Sequence, residues 1–168
     1  MYQRILVPID GSSTSSRGLA EAIQLAKLTG GRLRLVHVID ELSFALTMDA
    51  YAGYAGNWSE ELHGNAKKLL DDAQGRAIRE GVEVDAVLLD SFKRSVHDQV
   101  ISHAQAWKAD LIVIGPHGRR GIGRWVMGSS AEHILRMSPV PVLLIRAPES
   151  AKAEHERFTL PSGELASQ

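Results

Sequence analysis

Short apolar runs alternate with amphipathic segments along most of the chain. Five runs are rich in β-branched residues and apolar at successive positions, which is typical of strands buried on both faces. They lie at 4–9, 32–39, 82–89, 111–114 and 141–146. Helix-length segments between them predict parallel pairing with right-handed crossovers. We therefore predict an α/β fold: a doubly wound, open five-stranded parallel sheet with helices on both faces. The strand order that we expect for this sheet is 3-2-1-4-5.

The segments between these runs carry apolar residues at helical spacing and capping residues near their ends. Residues typical of helix starts are Ser12-Ser13, Asn57 with Glu60, and Ser95 with Asp98. Residues typical of helix ends are Gly30-Gly31, Gly81 and Ser138-Pro139. Four helices are predicted, the first from about Ser15 to Leu28.

Two stretches lie outside this alternation. Residues 40–57 show no clean period, and a loop of this length in a compact domain often acts as a lid. The alternative is a surface excursion whose aromatic side chains pack on the neighbouring helix. Residues 147–168 are polar and contain two prolines. We expect one α/β domain at 1–146 and a polar C-terminal tail at 147–168.

Composition narrows the classes of function. A chain of 168 residues fits one domain, and a net charge of −1 argues against nucleic-acid binding through a general basic field. The absence of cysteine excludes disulfides, thiol nucleophiles and cysteine-type zinc sites. The first apolar run meets Asp10 too early for a signal peptide, and no run approaches the ~18 apolar residues of a membrane span. We expect a cytoplasmic protein without membrane insertion.

A glycine-rich loop between the fourth strand and the fourth helix is the main candidate for chemistry. Residues 115–130 read GPHGRRGIGRWVMGSS, with five glycines, three arginines and no acid. Backbone N–H groups at a helix N-terminus make such a loop an anion site. No Gly-Lys pair of a Walker loop occurs, and the dinucleotide fingerprint fails because Gly121-Ile-Gly123-Arg-Trp-Val ends in valine after the wrong strand. We predict that the loop holds the phosphates of a nucleotide.

The spacing within this loop has a physical explanation. Gly115 ends a strand where a side chain would obstruct a ligand, and Gly118 permits positive φ in the turn. Gly128 lets the backbone approach a phosphate closely, and Ser129 and Ser130 lie at a helix start, where they can donate hydrogen bonds. The alternative is that the glycines only turn the chain.

The sequence resembles the universal stress protein family. The matching pieces are the opening run into Asp10-Gly-Ser, the second-strand end His37-Val-Ile-Asp, the Gly-x2-Gly-x9-Gly-Ser loop, and the closing Met137-Ser-Pro-Val-Pro-Val-Leu-Leu-Ile-Arg. Together they cover roughly residues 2–146. In that family the full glycine pattern is associated with members that bind ATP. The resemblance therefore implies that this chain belongs to the ATP-binding branch of the family, and that its domain at 1–146 holds the nucleotide.

The resemblance also implies roles for residues at the ends of the strands. Strands 1 and 4 would flank the topological switch point, where ligands bind in open α/β sheets. Asp10 would face the ribose or phosphates of ATP, or help to hold Mg²⁺, while Pro8, Ile9 and Val38 would form an apolar slot for adenine. The alternatives are that Asp10 serves the start of the first helix and that Ile9 and Val38 are core residues.

Charged residues within the loop are weaker candidates than its glycines. His117 could reach a phosphate, and the arginines could neutralise phosphates; they are Arg119, Arg120 and Arg124. The alternative is that the arginine side chains point into solvent. The remaining histidines form no metal-binding spacing; they are His37, His63, His97, His103, His133 and His155. We expect no histidine-ligated metal.

The leading hypothesis is a nucleotide-responsive regulator of the stress response with slow ATP turnover at most, because no convincing base for hydrolysis is evident. The alternatives are an ATP-hydrolysing or nucleotidyl-transfer enzyme on the same fold, and a nucleotide-free module whose arginines dock an acidic partner. Val140–Ile145 would lie at the sheet edge, where an exposed strand invites pairing. Because similar family members dimerise through this strand, we expect a homodimer. The alternative is that the chain's own tail covers the edge.

Overall fold

The computed structural model describes residues 1–40, 58–91, 94–116 and 127–146. The strands in this part of the chain are β1 (Arg4–Pro8), β2 (Arg32–Ile39), β3 (Val84–Asp90), β4 (Leu111–Ile114) and β5 (Val142–Leu144). The helices are α1 (Ser13–Thr29), α2 (Trp58–Arg79), α3 (Val96–Trp107) and α4 (Ser129–Met137). Strands and helices alternate along the chain, as the hydrophobic pattern predicts. None of the helices in the described ranges is long and apolar enough to cross a membrane.

The sheet has the predicted topology. Its strands are ordered β3-β2-β1-β4-β5, and every neighbouring pair is parallel. Ile5 of β1 lies opposite Leu33 of β2 on one side and Leu111 of β4 on the other. Because β1 and β4 are neighbours in space but not in sequence, the chain leaves their carboxyl ends in opposite directions. This is the topological switch point of an open α/β sheet.

Two hydrophobic clusters lie on opposite faces of the sheet, and each is covered by a pair of helices. On the first face, Ile5 and Val7 pack with buried residues of α1 and α2. On the second face, Leu6 and Ile112 pack with buried residues of α3 and α4. Alternate residues of β1 thus enter different clusters, as the two-residue period of a strand requires. The prediction of helices on both faces is confirmed.

Capping residues read from the sequence account for several helix ends. The Oγ of Ser12 accepts a hydrogen bond from the N–H of Ser15, and the Oγ of Ser95 accepts one from the N–H of Asp98. Gly30 ends α1 in the left-handed conformation with φ of 67°. The end of α3 gave no such signal, because Lys108 rather than glycine takes the left-handed position there, with φ of 57°.

The observed bounds of β3 and β5 differ most from the predicted ones. β3 begins at Val84 rather than Val82, because the N–H of Val82 donates to the carbonyl of Ala77 and closes the end of α2. β5 is only Val142–Leu144, although its pairing continues where the N–H of Ile145 donates to the carbonyl of Ile114.

Candidate functional site

The turn after β1 holds Asp10 at the carboxyl edge of the sheet. Gly11 reverses the chain with φ of 82°, a conformation that suits glycine. Asp10 Oδ1 accepts a hydrogen bond of 2.8 Å from the N–H of Ser12, whose own side chain caps α1. The carboxylate therefore stabilises the turn that precedes the helix. Asp10 is half-buried at this turn, which borders the crevice between the carboxyl ends of β1 and β4.

The end of β4 packs directly against the start of α1. A Cβ built on Gly115 would lie 2.8 Å from the Cβ of Thr14 and 2.9 Å from its carbonyl carbon. Real Cβ atoms essentially never approach other atoms this closely. Packing against Thr14 therefore requires glycine at this position. The sequence alone suggests a different reason, that a side chain here would obstruct a ligand. This packing brings the β4 end beside the first turn of α1, just after Ser12.

The start of α4 differs from the starts of α1 and α3. Gly128 is its N-cap, with φ of −63° and ψ of 142°, and no side chain in the described part of the chain caps this end. The carbonyl of Gly128 accepts the first helical bond, from the N–H of Glu132. The N–H groups of Ser129 and Ser130 precede that bond, so they have no acceptor within the helix. The positive end of the helix dipole adds to these donors.

A main-chain hydrogen bond holds the two ends of the glycine-rich loop together. The N–H of Gly128 donates to the carbonyl of Pro116 at 2.9 Å. The start of α4 is consequently fixed next to the carboxyl end of β4, at the switch point. The predicted loop residues His117, Gly118 and Arg119 lie outside the described residues, as do Arg120 and Arg124.

The residues predicted for an adenine slot fall on different faces of the sheet. Ile9 is only 4% exposed and belongs to the cluster under α1. Val38 is partly buried against the cluster under α3 and α4. Pro8 lies two residues after Leu6 and by alternation shares that second face. Pro8 and Val38 thus border the second face, while Ile9 contributes core packing and main-chain atoms.

A sequence comparison gives the family. The model of the universal stress protein family matches residues 1–146. The chain belongs to the universal stress protein family.

Relatives of known sequence or structure match this universal stress protein over most of its length. A universal stress protein of Methanocaldococcus jannaschii is 29% identical over 152 residues, which cover 89% of this chain and 85% of the relative. A solved family member from Burkholderia pseudomallei is 30% identical, with a TM-score of 0.65 over 87% of this chain and 97% of that one. The universal stress protein from Archaeoglobus fulgidus was solved in complex with dAMP; it is 27% identical, with a TM-score of 0.64 over 86% of this chain and 98% of that one.

Histidine side chains near α4 form an electrostatic feature that the sequence did not reveal. The rings of His97 on α3 and His133 on α4 stack with centroids 3.9 Å apart. Burial lowers the pKa of His97 below its ordinary value of 6.5, and the neighbouring His133 lowers it further, while Asp98 acts in the opposite direction. The pKa of Asp98 is lowered chiefly by its hydrogen bond with Ser95. His133 lies about one helical turn beyond Ser130 on α4.

Asp10 is the described carboxylate that could hold a metal ion at the crevice. Within the described ranges, no group of three or more histidine, aspartate or glutamate side chains is arranged to hold a metal ion. Mg²⁺ is commonly held by one or two carboxylates together with substrate phosphates. Asp10 supplies one carboxylate at the switch point, so it fits a magnesium ion that arrives with a nucleotide.

An open groove of 290 Å³ lies elsewhere, between α1 and α2. Its lining residues are Ala20, Ile23, Gln24, Arg76, Arg79 and Glu80. The groove is flanked by a hydrogen bond of 2.7 Å from Arg76 to Ser16 and by an ion pair of 2.9 Å between Lys27 and Glu80. It shares no residue with the crevice. We place the candidate site at the crevice, because Asp10 follows the end of β1 and the start of α4 is bonded to the end of the neighbouring strand β4.

Proposed function

We propose that this universal stress protein binds ATP with Mg²⁺ in the crevice between the carboxyl ends of β1 and β4. The observation that carries the proposal is the start of α4. Its first N–H groups lack a side-chain cap from the described residues, and the bond from Gly128 to Pro116 fixes them at the switch point. A helix N-terminus in this position favours a phosphate group.

The phosphates would be held by the backbone of the Gly-x2-Gly-x9-Gly-Ser loop. Ser129 and Ser130 supply N–H groups at the helix start and add hydroxyl donors. Gly128, whose own N–H donates to the carbonyl of Pro116, would let the phosphate approach the backbone closely. Gly118 would turn the loop, and His117 and Arg119 would lie near the phosphate charge. Mg²⁺ would neutralise part of that charge when bound.

The nucleoside would lie nearer to β1 and β2 than the phosphates do. Asp10 is half-buried at the end of β1, where its carboxylate can accept hydrogen bonds from ribose hydroxyls or hold Mg²⁺. Pro8 and Val38 border the second face of the sheet and offer an apolar surface to adenine. Ile9 backs this surface from the core, and Gly115 closes the crevice beside α1.

The Archaeoglobus relative supports an adenine nucleotide as the ligand class, because dAMP carries the adenine and one phosphate of such a ligand. The preference for ATP rests on the complete glycine pattern and on the three arginines of the loop. These features suit a polyphosphate better than a single phosphate, because more donors and cations can be satisfied.

The proposed role is a cytoplasmic, nucleotide-responsive regulator of the stress response. ATP turnover would be slow at most, because Asp10 is engaged in the turn before α1 and no other general base is evident at the described crevice. The domain would comprise residues 1–146, with 147–168 as an appended tail. We further propose a homodimer paired through β5, and no nucleic-acid partner, since the net charge is −1.

Two measurements test the nucleotide proposal. Mass spectrometry of the natively purified protein identifies any nucleotide that co-purifies. Isothermal titration calorimetry then compares ATP with AMP, each with and without Mg²⁺. We expect binding of ATP that is strengthened by Mg²⁺. A protein that shows neither heat nor a co-purified nucleotide would instead support the nucleotide-free interaction module, and fast steady-state turnover would support the enzyme.

A further inference from the structure

His37 is a buried histidine beside the crevice that the proposed nucleotide contacts do not use. It lies on β2 opposite Leu88 of β3 and is 6% exposed. Its Nδ1 lies 2.5 Å from the carbonyl oxygen of Ile9 on the neighbouring segment. Burying an imidazole costs free energy unless its polar atoms are hydrogen-bonded. The bond to Ile9 therefore fixes the ring against the end of β1.

This hydrogen bond determines where the ring carries a hydrogen. A carbonyl oxygen can only accept, so Nδ1 of His37 must be the donor. In the neutral ring the hydrogen then lies on Nδ1 and not on Nε2. This tautomer is a property of the folded protein that can be measured without any ligand.

The bond holds the peptide unit that leads into Asp10. Ile9 is the first residue after β1, and its N–H donates to the carbonyl of Val36 at 2.8 Å. The next amide, of Asp10, lies 3.4 Å from the Oγ of Ser15. Because a peptide unit is planar, fixing the oxygen of Ile9 and the nitrogen of Asp10 fixes its orientation. The direction in which Asp10 projects its carboxylate depends on that orientation, together with the bond that the carboxylate accepts from the N–H of Ser12.

We propose that His37 is a positioning residue of the nucleotide site. Its Nδ1–H holds the carbonyl of Ile9 and thereby aims the carboxylate of Asp10 at the ligand. The imidazole acts through Ile9 and Asp10 and does not itself touch the nucleotide. This role rests on the proposed function, because Asp10 is aimed at a ligand only if one binds there. Binding groups that are held in place by such outer contacts bind more tightly than mobile ones.

Two substitutions of matched shape separate this role from simple packing. Asparagine and leucine both branch at Cγ, but only asparagine carries a donor near the position of Nδ1. Calorimetry with ATP and Mg²⁺ would be compared among wild type, His37→Asn and His37→Leu. We expect His37→Leu to bind ATP about tenfold more weakly and His37→Asn to retain most of the affinity.

A purely structural role predicts the opposite order. Leucine suits a buried apolar site better than asparagine does, so packing alone would make His37→Leu the more stable variant and at least as good a binder. That order of affinities, or equal losses in both variants, would overturn the proposal. Thermal unfolding of both variants shows whether affinity and stability change separately, as we expect.

The tautomer gives a second test that needs no variant to fold. Nitrogen NMR of the imidazole rings in the wild-type protein should show the hydrogen of His37 on Nδ1. A ring with its hydrogen on Nε2 alone would refute the positioning role even if ATP binds normally. If the wild-type protein binds no ATP, the proposed function fails, and this role fails with it. If the protein binds ATP but carries the hydrogen of His37 on Nε2 alone, only this role fails, so the two failures are distinguishable.

Discussion

Gly115 and Thr14 lie so close together that the end of β4 has no room for a side chain. A Cβ on Gly115 would meet the carbonyl carbon of Thr14 at 2.9 Å, and main chain cannot move aside as a flexible side chain can. We expect Gly115→Ala to destabilise the protein by about 1–3 kcal/mol, the usual cost of overpacking. Chemical denaturation monitored by circular dichroism measures the difference.

Gly18 provides the matched control for this substitution. A Cβ on Gly18 would lie 3.8 Å from the N atom of Gly115, which is an ordinary van der Waals distance. Because Gly18 lies within α1, alanine should also stabilise the helix by up to about 1 kcal/mol. Equal stability of Gly115→Ala and Gly18→Ala would show that the two chain segments do not require this close approach.

Much of the fold follows from local patterns, and the sequence therefore predicts it well. The alternation of apolar runs and helical segments predicts the parallel, doubly wound sheet. Ser12, Gly30 and Ser95 mark helix ends because capping depends on neighbouring residues. The sequence does not mark Lys108 as a helix end, because a lysine in the left-handed conformation has no sequence signature.

The candidate site is less predictable, because it depends on contacts between distant parts of the chain. The glycine spacing marks Gly115, but only the folded structure shows that Thr14 occupies the adjacent space. Likewise, His37 appears in the sequence as one histidine within an apolar strand. Its bond to Ile9 joins neighbouring strands, so periodicity cannot reveal it. The signal that could have identified it is the polar ring itself, which needs a partner in a buried strand.

A substitution at Gly128 tests nucleotide binding separately from folding. Its φ of −63° and ψ of 142° are accessible to any residue, so a side chain there causes no backbone strain. We expect Gly128→Val to lower the free energy of unfolding by no more than about 1 kcal/mol, because valine is a poorer N-cap residue than glycine. The added methyl groups would keep a phosphate away from the start of α4, and ATP binding should be lost in calorimetry.

Normal ATP binding by Gly128→Val would remove the glycine loop from the proposed site. The control for folding is the denaturation curve of the same variant. A variant that loses both stability and binding would show that Gly128 has a structural role beyond its bond to Pro116.

The stacked rings of His97 and His133 make stability sensitive to acid. Burial and the neighbouring His133 lower the pKa of His97 from 6.5 in the folded protein. Above that pH the ring is neutral in both states, and its contribution to stability is fully present. As the pH falls below 6.5, the unfolded chain binds the proton first, so stability is lost until the lower folded-state pKa is reached.

We therefore expect the free energy of unfolding to decrease on acidification below pH 6.5, and less steeply in His97→Gln. Part of the slope should remain in that variant, because burial and Arg34 also lower the pKa of His103. Denaturant unfolding at a series of pH values measures both slopes. An unchanged slope in His97→Gln would show that the stacked pair does not control the acid response.

The edge position of β5 leads to the prediction for the dimer. In the described sheet β5 pairs with β4 alone, and Val142 and Leu144 pack into the cluster under α3 and α4. Leu143 points the other way and is 39% exposed. An apolar residue on an edge strand favours pairing with another chain, and a lysine at such a position opposes it. We expect Leu143→Lys to convert the proposed homodimer into a monomer in size-exclusion chromatography with light scattering.

Leu28→Lys is the control for this substitution. Leu28 is 84% exposed at the far end of α1, so its replacement should leave the mass unchanged. A wild-type protein that remains monomeric at high concentration, or a Leu143→Lys variant that remains dimeric, would show that β5 is not the interface.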